Sequence, residues 1–95
     1  MGGQIKAPKL LRRVPPEYPM LAQQARVQGM VVLDAKVGPD GRVSSVEVLA
    51  GNPLLIEAAV EAVRQWRYQP LLLNGVPAAF VLNVTISFSF APIGR

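Results

Sequence analysis

The side chains that most often perform catalysis or bind metals are missing or isolated in this sequence. The 95 residues include no cysteine and no histidine, which excludes disulfides, thiolate chemistry and every Ser-His or Cys-His arrangement. Glu57 and Glu61 lie one helical turn apart, but no partner is evident for acid–base work, so a solvated helix face is the better interpretation. Asp40-Gly41 predicts a turn, because a metal site needs more ligands than this loop offers. We therefore predict a protein without enzymatic activity, cofactor or metal.

Positive charge is concentrated at the N-terminus. The net charge is +4, with an isoelectric point of about 10.1. Residues 1–13 hold Lys6, Lys9, Arg12 and Arg13 and no acid, whereas basic and acidic residues balance over 14–95. Because nucleic-acid-binding domains usually carry a basic patch on the folded body, we expect no nucleic-acid partner. The basic segment is most simply the solubilising end of a linker, with a contact to peptidoglycan or anionic lipid as the alternative.

Two amphipathic helices are predicted. A short helix over 19–27 begins at a proline suited to the first turn and stops at Gly29. A stronger helix over 53–68 begins after the N-cap Asn52 and ends before Pro70. The apolar positions that indicate them are Leu21, Ala22 and Ala25 in the first helix and Leu55, Ala59, Ala62, Val63 and Trp66 in the second, with Tyr68 packing at its end.

Three strands are predicted from alternating hydrophobicity. Residues 30–37 and 43–49 flank the turn at 38–41 and form an antiparallel hairpin, with a bulge near Ser44-Ser45. Over residues 80–90 every even position is apolar, and every odd position except one is polar. This pattern is typical of a strand with one buried and one solvated face.

These elements predict an α+β domain in which both helices pack on one face of a three-stranded antiparallel sheet of order 2-1-3. The domain is expected at 14–91, between a flexible basic arm at 1–13 and a tail at 92–95. The last strand becomes an edge that the first strand is too short to cover fully, and residues 79–91 contain no charge or proline to protect it. Such an edge can receive another strand, unless the chain's own tail or a dimer mate covers it.

The order and spacing of several short motifs resemble the C-terminal domain of TonB-type energy transducers over residues 13–90. That family is similarly built from two helices against a three-stranded antiparallel sheet. The matching pieces are Tyr18-Pro19 with Ala22 and Gly29, then Gly38-Pro39-Asp40-Gly41-Arg42-Val43, then Ala58-Ala59 to Val63 leading into Trp66-Arg67-Tyr68 and Pro70, and then the alternating last strand.

The resemblance implies a periplasmic domain that a membrane helix and a proline-rich linker, preceding Met1, tether to the inner membrane. It implies binding of the TonB box of outer-membrane receptors by β-strand addition to the last strand. It also implies inner-membrane proton-channel partners, whose proton-motive force drives uptake such as siderophore transport. The partner-binding residues that it implies are Val81, Leu82, Asn83, Val84, Thr85, Ile86 and Ser87 on the strand and Arg13, Val14, Pro15 and Pro16 in the approach to the first helix.

Two departures from the family pattern limit what the resemblance implies about specificity. Pro15 stands where a glutamine is often seen, and Leu21 stands where a basic residue can contact the receptor. The identity of the receptor therefore does not carry over. The alternative interpretation is a periplasmic sensor or interaction domain of the same fold in another membrane-anchored protein. The uncharged edge also predicts a weak homodimer.

Overall fold

The computed structural model describes residues 8–90, and it confirms an α+β domain with two helices and antiparallel strands. The predicted tail at 92–95 and the first seven residues lie outside the described range. The elements in chain order are β1 (Leu10–Arg12), α1 (Met20–Gln24), β2 (Gly29–Val37), β3 (Val43–Ala50), α2 (Pro53–Arg64), β4 (Arg67–Tyr68), β5 (Leu71–Leu73), β6 (Val76–Ala78) and β7 (Phe80–Phe88).

The central sheet has the strand order β3-β2-β7, which is the predicted order 2-1-3. Strands β2 and β7 pair without a register shift from Gly29↔Phe88 to Val37↔Phe80, so all nine residues of each strand are matched. The expectation that the first strand would leave part of the last one uncovered was wrong. Gly29 adds one residue to the predicted start of β2, and β7 itself ends at Phe88, two residues before the predicted end.

The β2–β3 hairpin contains the predicted bulge. Lys36 pairs with Ser45 and Val37 with Val43, so Ser44 is the extra residue on β3. Its hydroxyl donates to the Lys36 carbonyl at 3.1 Å. The turn before it uses Gly41 at φ +86°, a left-handed conformation that glycine adopts without a steric penalty.

The core lies between one face of this sheet and the two helices. Alternate β2 residues from Val31 to Val37 are fully buried, and α2 covers them with Leu55, Ala59 and Val63. The α2 N-terminus forms as predicted, because the Asn52 side chain accepts a hydrogen bond from the Leu54 amide at 2.9 Å. The other members of this core are Ala22 from α1, Trp66, Tyr68, and the β7 residues Val84, Ile86 and Phe88.

Both helices end earlier than predicted, for identifiable reasons. Helix α1 ends before Arg26, which takes a positive φ of 56°, and the Val27 amide then closes back on the Ala22 carbonyl at 2.8 Å. Helix α2 ends at Arg64 because the next segment has tertiary partners. The Tyr68 amide donates to the Gly41 carbonyl at 2.8 Å, which makes Arg67–Tyr68 a short strand and not a fourth helical turn.

Two small strand pairs complete the fold and were not predicted. Strand β1 pairs with β4, with Leu10 opposite Tyr68 and Arg12 opposite Arg67. Part of the predicted basic arm therefore forms a strand against the domain. Strands β5 and β6 form a hairpin around Asn74-Gly75, both of which have a positive φ.

Candidate functional site

The outer edge of β7 is the main candidate site. Within residues 8–90, β7 pairs with β2 on one side and with no strand on the other. Its even-numbered side chains point into the core, and its odd-numbered ones are exposed, as the alternation predicted. Val81 is 60% exposed, and the strand carries no charge. The edge therefore offers an uninterrupted row of nine residues with none of the usual protection against strand pairing.

The hydrogen bonds of β2 determine which β7 amides face outward. The Gly38 amide donates to the Arg42 carbonyl at 2.8 Å, and the Lys36 carbonyl accepts from Ser44, so even-numbered backbone groups of β2 point toward β3. Because backbone groups alternate in direction along a strand, the odd-numbered groups of β2 point toward β7. Each of these odd residues is in register with an even β7 residue, as in Leu33↔Val84. The odd-numbered residues of β7 therefore direct their N–H and C=O groups off the free edge.

This parity divides the seven β7 residues of the predicted site into two groups. Leu82, Val84 and Ile86 direct both their side chains and their backbone groups inward, toward the core and β2. The outward-facing backbone belongs to the odd-numbered group, whose side chains lie on the solvated face of the sheet. There the Asn83 side-chain amide donates to the Asp34 carboxylate at 3.2 Å. The outward-facing group comprises Val81, Asn83, Thr85 and Ser87.

The approach segment, Arg13 to Pro16, is fixed to the domain through Trp66. The Trp66 indole N–H donates to the Val14 carbonyl at 2.8 Å, and the Arg13 guanidinium lies over the indole ring at 5.6 Å from its centroid. Pro15 is exposed and Pro16 is half-buried. The chain next reaches Tyr18, whose ring stacks at 5.2 Å on Phe90 beyond the end of β7. Tyr18 therefore connects the approach segment to the end of β7.

A cleft that was not predicted from the sequence lies on the opposite flank of the sheet, where β3 begins. It has a volume of about 410 Å³, and four arginines line it together with Trp66. The β1–β4 pair brings two of them opposite each other, although they are 55 positions apart in the sequence. The sequence prediction placed Arg12 in the N-terminal basic arm and Arg67 in the second helix, so it did not indicate that they meet. The four arginines are Arg12, Arg42, Arg64 and Arg67.

Three other features of the described residues bear on function, namely metal sites, membrane-spanning helices and shifted pKa values. Over residues 8–90 no group of three or more carboxylate, histidine or cysteine side chains is placed to hold a metal ion. No helix in the same range is long and apolar enough to cross a membrane. Burial raises the pKa of the Tyr68 hydroxyl above its ordinary value of 10.0.

Comparison with known proteins gives one consistent family. The family model described as Gram-negative bacterial TonB protein C-terminal matches residues 14–90. Protein TonB of Escherichia coli is 43% identical over 65 residues, which are 66% of this chain and 27% of that protein. Protein TonB of Klebsiella pneumoniae is 41% identical over 83 residues, which are 85% of this chain and 32% of that protein. The chain thus spans about a third or less of these relatives.

The fold agrees with that of a solved relative. The solution structure of the Pseudomonas aeruginosa TonB C-terminal domain superposes with a TM-score of 0.75 at 27% sequence identity, covering 90% of this chain and 89% of that one. The family model covers the two helices and the whole central sheet, including the free edge of β7. The chain therefore belongs to the TonB family, of which it contains the C-terminal domain.

Proposed function

We propose that this domain binds an extended segment of an outer-membrane receptor by β-strand addition to β7 and transmits force to it. The observation that carries the proposal is the free edge itself, nine residues long and uncharged, with the backbone of its odd-numbered residues directed outward. Strand addition needs this combination, because the affinity comes from backbone hydrogen bonds and the receptor segment need only be extended.

The edge offers a defined set of bonds to an incoming strand. The four odd-numbered residues from Val81 to Ser87 supply one N–H and one C=O each. An intramolecular hydrogen bond contributes about 1 kcal/mol net, so several such bonds together are needed to offset the ordering of a peptide. Because the odd-numbered side chains lie on the exposed face of the sheet and not along its edge, selectivity for the peptide sequence should be loose.

We further propose that the approach segment makes a second contact with the receptor. Its two prolines restrict the backbone, and the Val14 carbonyl is bound by Trp66, so the exposed Pro15 is presented at low entropic cost. Arg13 can add a charge-assisted hydrogen bond to a receptor carboxylate. Leu21 on α1 is 68% exposed and can contact the receptor only through apolar surface.

The cellular location of this activity and its energy source are inferred from the family. The matched regions are 27% and 32% of these two relatives, which are therefore about three to four times as long as the region that matches. We infer that the domain works in the periplasm of a Gram-negative envelope. Proton-channel proteins of the inner membrane would drive it through an N-terminal part like that of the family. The energy is then used for active uptake across the outer membrane.

Two substitutions at Thr85 test strand addition. Thr85→Pro removes an N–H that points off the free edge, whereas Thr85→Val keeps it and changes only the hydroxyl. We expect a TonB-box peptide to bind the Val variant like the unmodified domain and the Pro variant at least about tenfold more weakly, with both variants folded. Equal peptide affinity for the two variants would contradict strand addition. Failure of the unmodified domain to bind the peptide would instead favour a same-fold domain with another role.

A further inference from the structure

The arginine cleft has a charge arrangement that the fold does not need. Arg67 on β4 is in register with Arg12 on β1, and an isolated bridge places Arg42 on its other side. Like charges directly opposite each other across strands are destabilising. Arg64, in the last turn of α2, also lines this cleft.

Almost nothing within the domain neutralises this cluster. Over residues 8–90 the single ion pair joins Arg42 to Asp40 at 3.8 Å, and both side chains are about two-thirds exposed. A pair at that distance in solvent contributes little. Arg13, nearby, lies over the Trp66 ring and also has no carboxylate partner within ion-pair distance in the described part of the chain.

The geometry of the cleft indicates which anion would bind. Guanidinium groups present planar forks that match phosphate and carboxylate oxygens in pairs of hydrogen bonds. Four arginines lining one cleft carry more positive charge than a single carboxylate can neutralise. Two phosphates carry up to four charges and enough acceptor oxygens for all four. The volume of about 410 Å³ suits a compact group and not a long polymer.

We propose that this cleft, formed by Arg12, Arg42, Arg64 and Arg67, binds a compact ligand bearing two or more phosphate groups. The cleft lies on the β3 flank of the sheet, whereas β7 forms the opposite edge, so a strand added to β7 leaves the cleft accessible. The approach segment lies beside the cleft, because Arg13 and Val14 contact Trp66. The phosphates can belong to a soluble compound or to the headgroups of an anionic lipid.

Inorganic pyrophosphate is the probe for the shared chemistry. Titration at low ionic strength, followed by NMR of the arginine Nε–H groups, should shift the signals of the four cleft arginines. The Arg67→Gln and Arg64→Gln variants should each bind pyrophosphate at least about tenfold more weakly, because each loses a charge-assisted interaction. Arg26→Gln is the matched control: it removes the same charge at a side chain that lies over Phe90, outside the cleft, and should leave the affinity unchanged.

Stability measurements separate a binding role from a structural one. The Arg67→Gln variant should unfold at the same temperature as the unmodified domain or higher, since the substitution relieves repulsion. Excess pyrophosphate should raise the unfolding temperature of the unmodified domain more than that of this variant. If the cleft signals do not shift in 10 mM pyrophosphate, the proposal is overturned. The same holds if Arg26→Gln weakens binding as much as Arg67→Gln, or if hexaglutamate binds as tightly as pyrophosphate.

Vesicles then identify the source of the phosphates. If vesicles containing cardiolipin, whose headgroup carries two phosphates, compete with pyrophosphate for the cleft and phosphatidylcholine vesicles do not, the proposal is supported and the ligand is a lipid headgroup. If neither vesicle competes while pyrophosphate binds, the proposal is supported with a soluble ligand.

Discussion

Replacing Gly41 with alanine should destabilise the domain far more than the same replacement at Gly75. Both glycines have a left-handed backbone, at φ +86° and +79°. A Cβ at Gly75 would meet no atom within 4 Å, whereas one at Gly41 would lie 1.9 Å from the Tyr68 carbonyl oxygen. Real Cβ contacts stay beyond 3.0 Å, so β4 would have to move by at least about 1.1 Å.

The expected cost follows from these contacts. A non-glycine residue in the left-handed region costs about 1–2 kcal/mol, and this applies at both positions. At Gly41 the displacement also weakens the bond from the Tyr68 amide to the Gly41 carbonyl, worth about 1 kcal/mol, and loosens the packing of the buried Tyr68 ring. We therefore expect losses of about 3–5 kcal/mol for Gly41→Ala and about 1–2 kcal/mol for Gly75→Ala.

Urea denaturation followed by the fluorescence of Trp66, the single tryptophan, measures both free energies of unfolding. The effect of alanine on the unfolded chain is the same at the two sites and cancels in the comparison. A difference below about 0.5 kcal/mol would refute the reasoning, because the close approach of Gly41 to β4 would then have no energetic consequence.

Three further outcomes are expected. Ile86→Asp should lower the free energy of unfolding by about 4 kcal/mol or more, because it buries a carboxylate without a partner. Thr85→Lys, on the exposed face, should change that free energy by no more than about 0.5 kcal/mol. Equal losses of stability in the two variants, measured by thermal unfolding, would mean that the faces of β7 are misassigned. The raised pKa of Tyr68 means that its contribution to stability is complete below about pH 10 and is lost as the pH rises through the raised value. Tyr68→Phe should therefore flatten the pH dependence of unfolding above pH 10, and an unchanged slope would count against that assignment. The free edge should also support a weak dimer at high concentration, and sedimentation should find that saturating peptide dissociates it; a dimer that persists would use another surface.

The parts of the fold that could be predicted from sequence carry their own local signal. The alternation along β7 predicts which side chains are buried, and the turn before Arg42 predicts the hairpin. The bulge at Ser44 was predicted from the shift in alternation at Ser44-Ser45 relative to Val43. The order of strands follows because a single apolar helix stripe has to cover a single apolar sheet face. The direction of the β7 amides carries no such signal. It depends on which β2 groups bond to β3, and this is a property of pairing and not of composition.

The missed features depend on contacts between distant segments. Strand β4 has only two residues, and it follows a strong helix pattern without a glycine or proline between them, so helical spacing was extended through it. A signal was nevertheless present, because Trp66 and Tyr68 are large and apolar on either side of Arg67, which is the period of a strand. The arginine cleft was missed because β4 was missed. Without the β1–β4 pair, Arg12 belonged to an arm and Arg67 to a helix.

Amide hydrogen exchange along β7 tests strand addition most directly. In the free domain the amides of Leu82, Val84 and Ile86 should be protected, because they bond to β2, whereas those of Asn83 and Thr85 should exchange rapidly. Saturating TonB-box peptide should slow exchange at Asn83 and Thr85 by at least about tenfold and leave the protected amides nearly unchanged. If the peptide binds while Asn83 and Thr85 continue to exchange as in the free domain, the peptide does not add to this edge, and the proposed mode of receptor binding is contradicted.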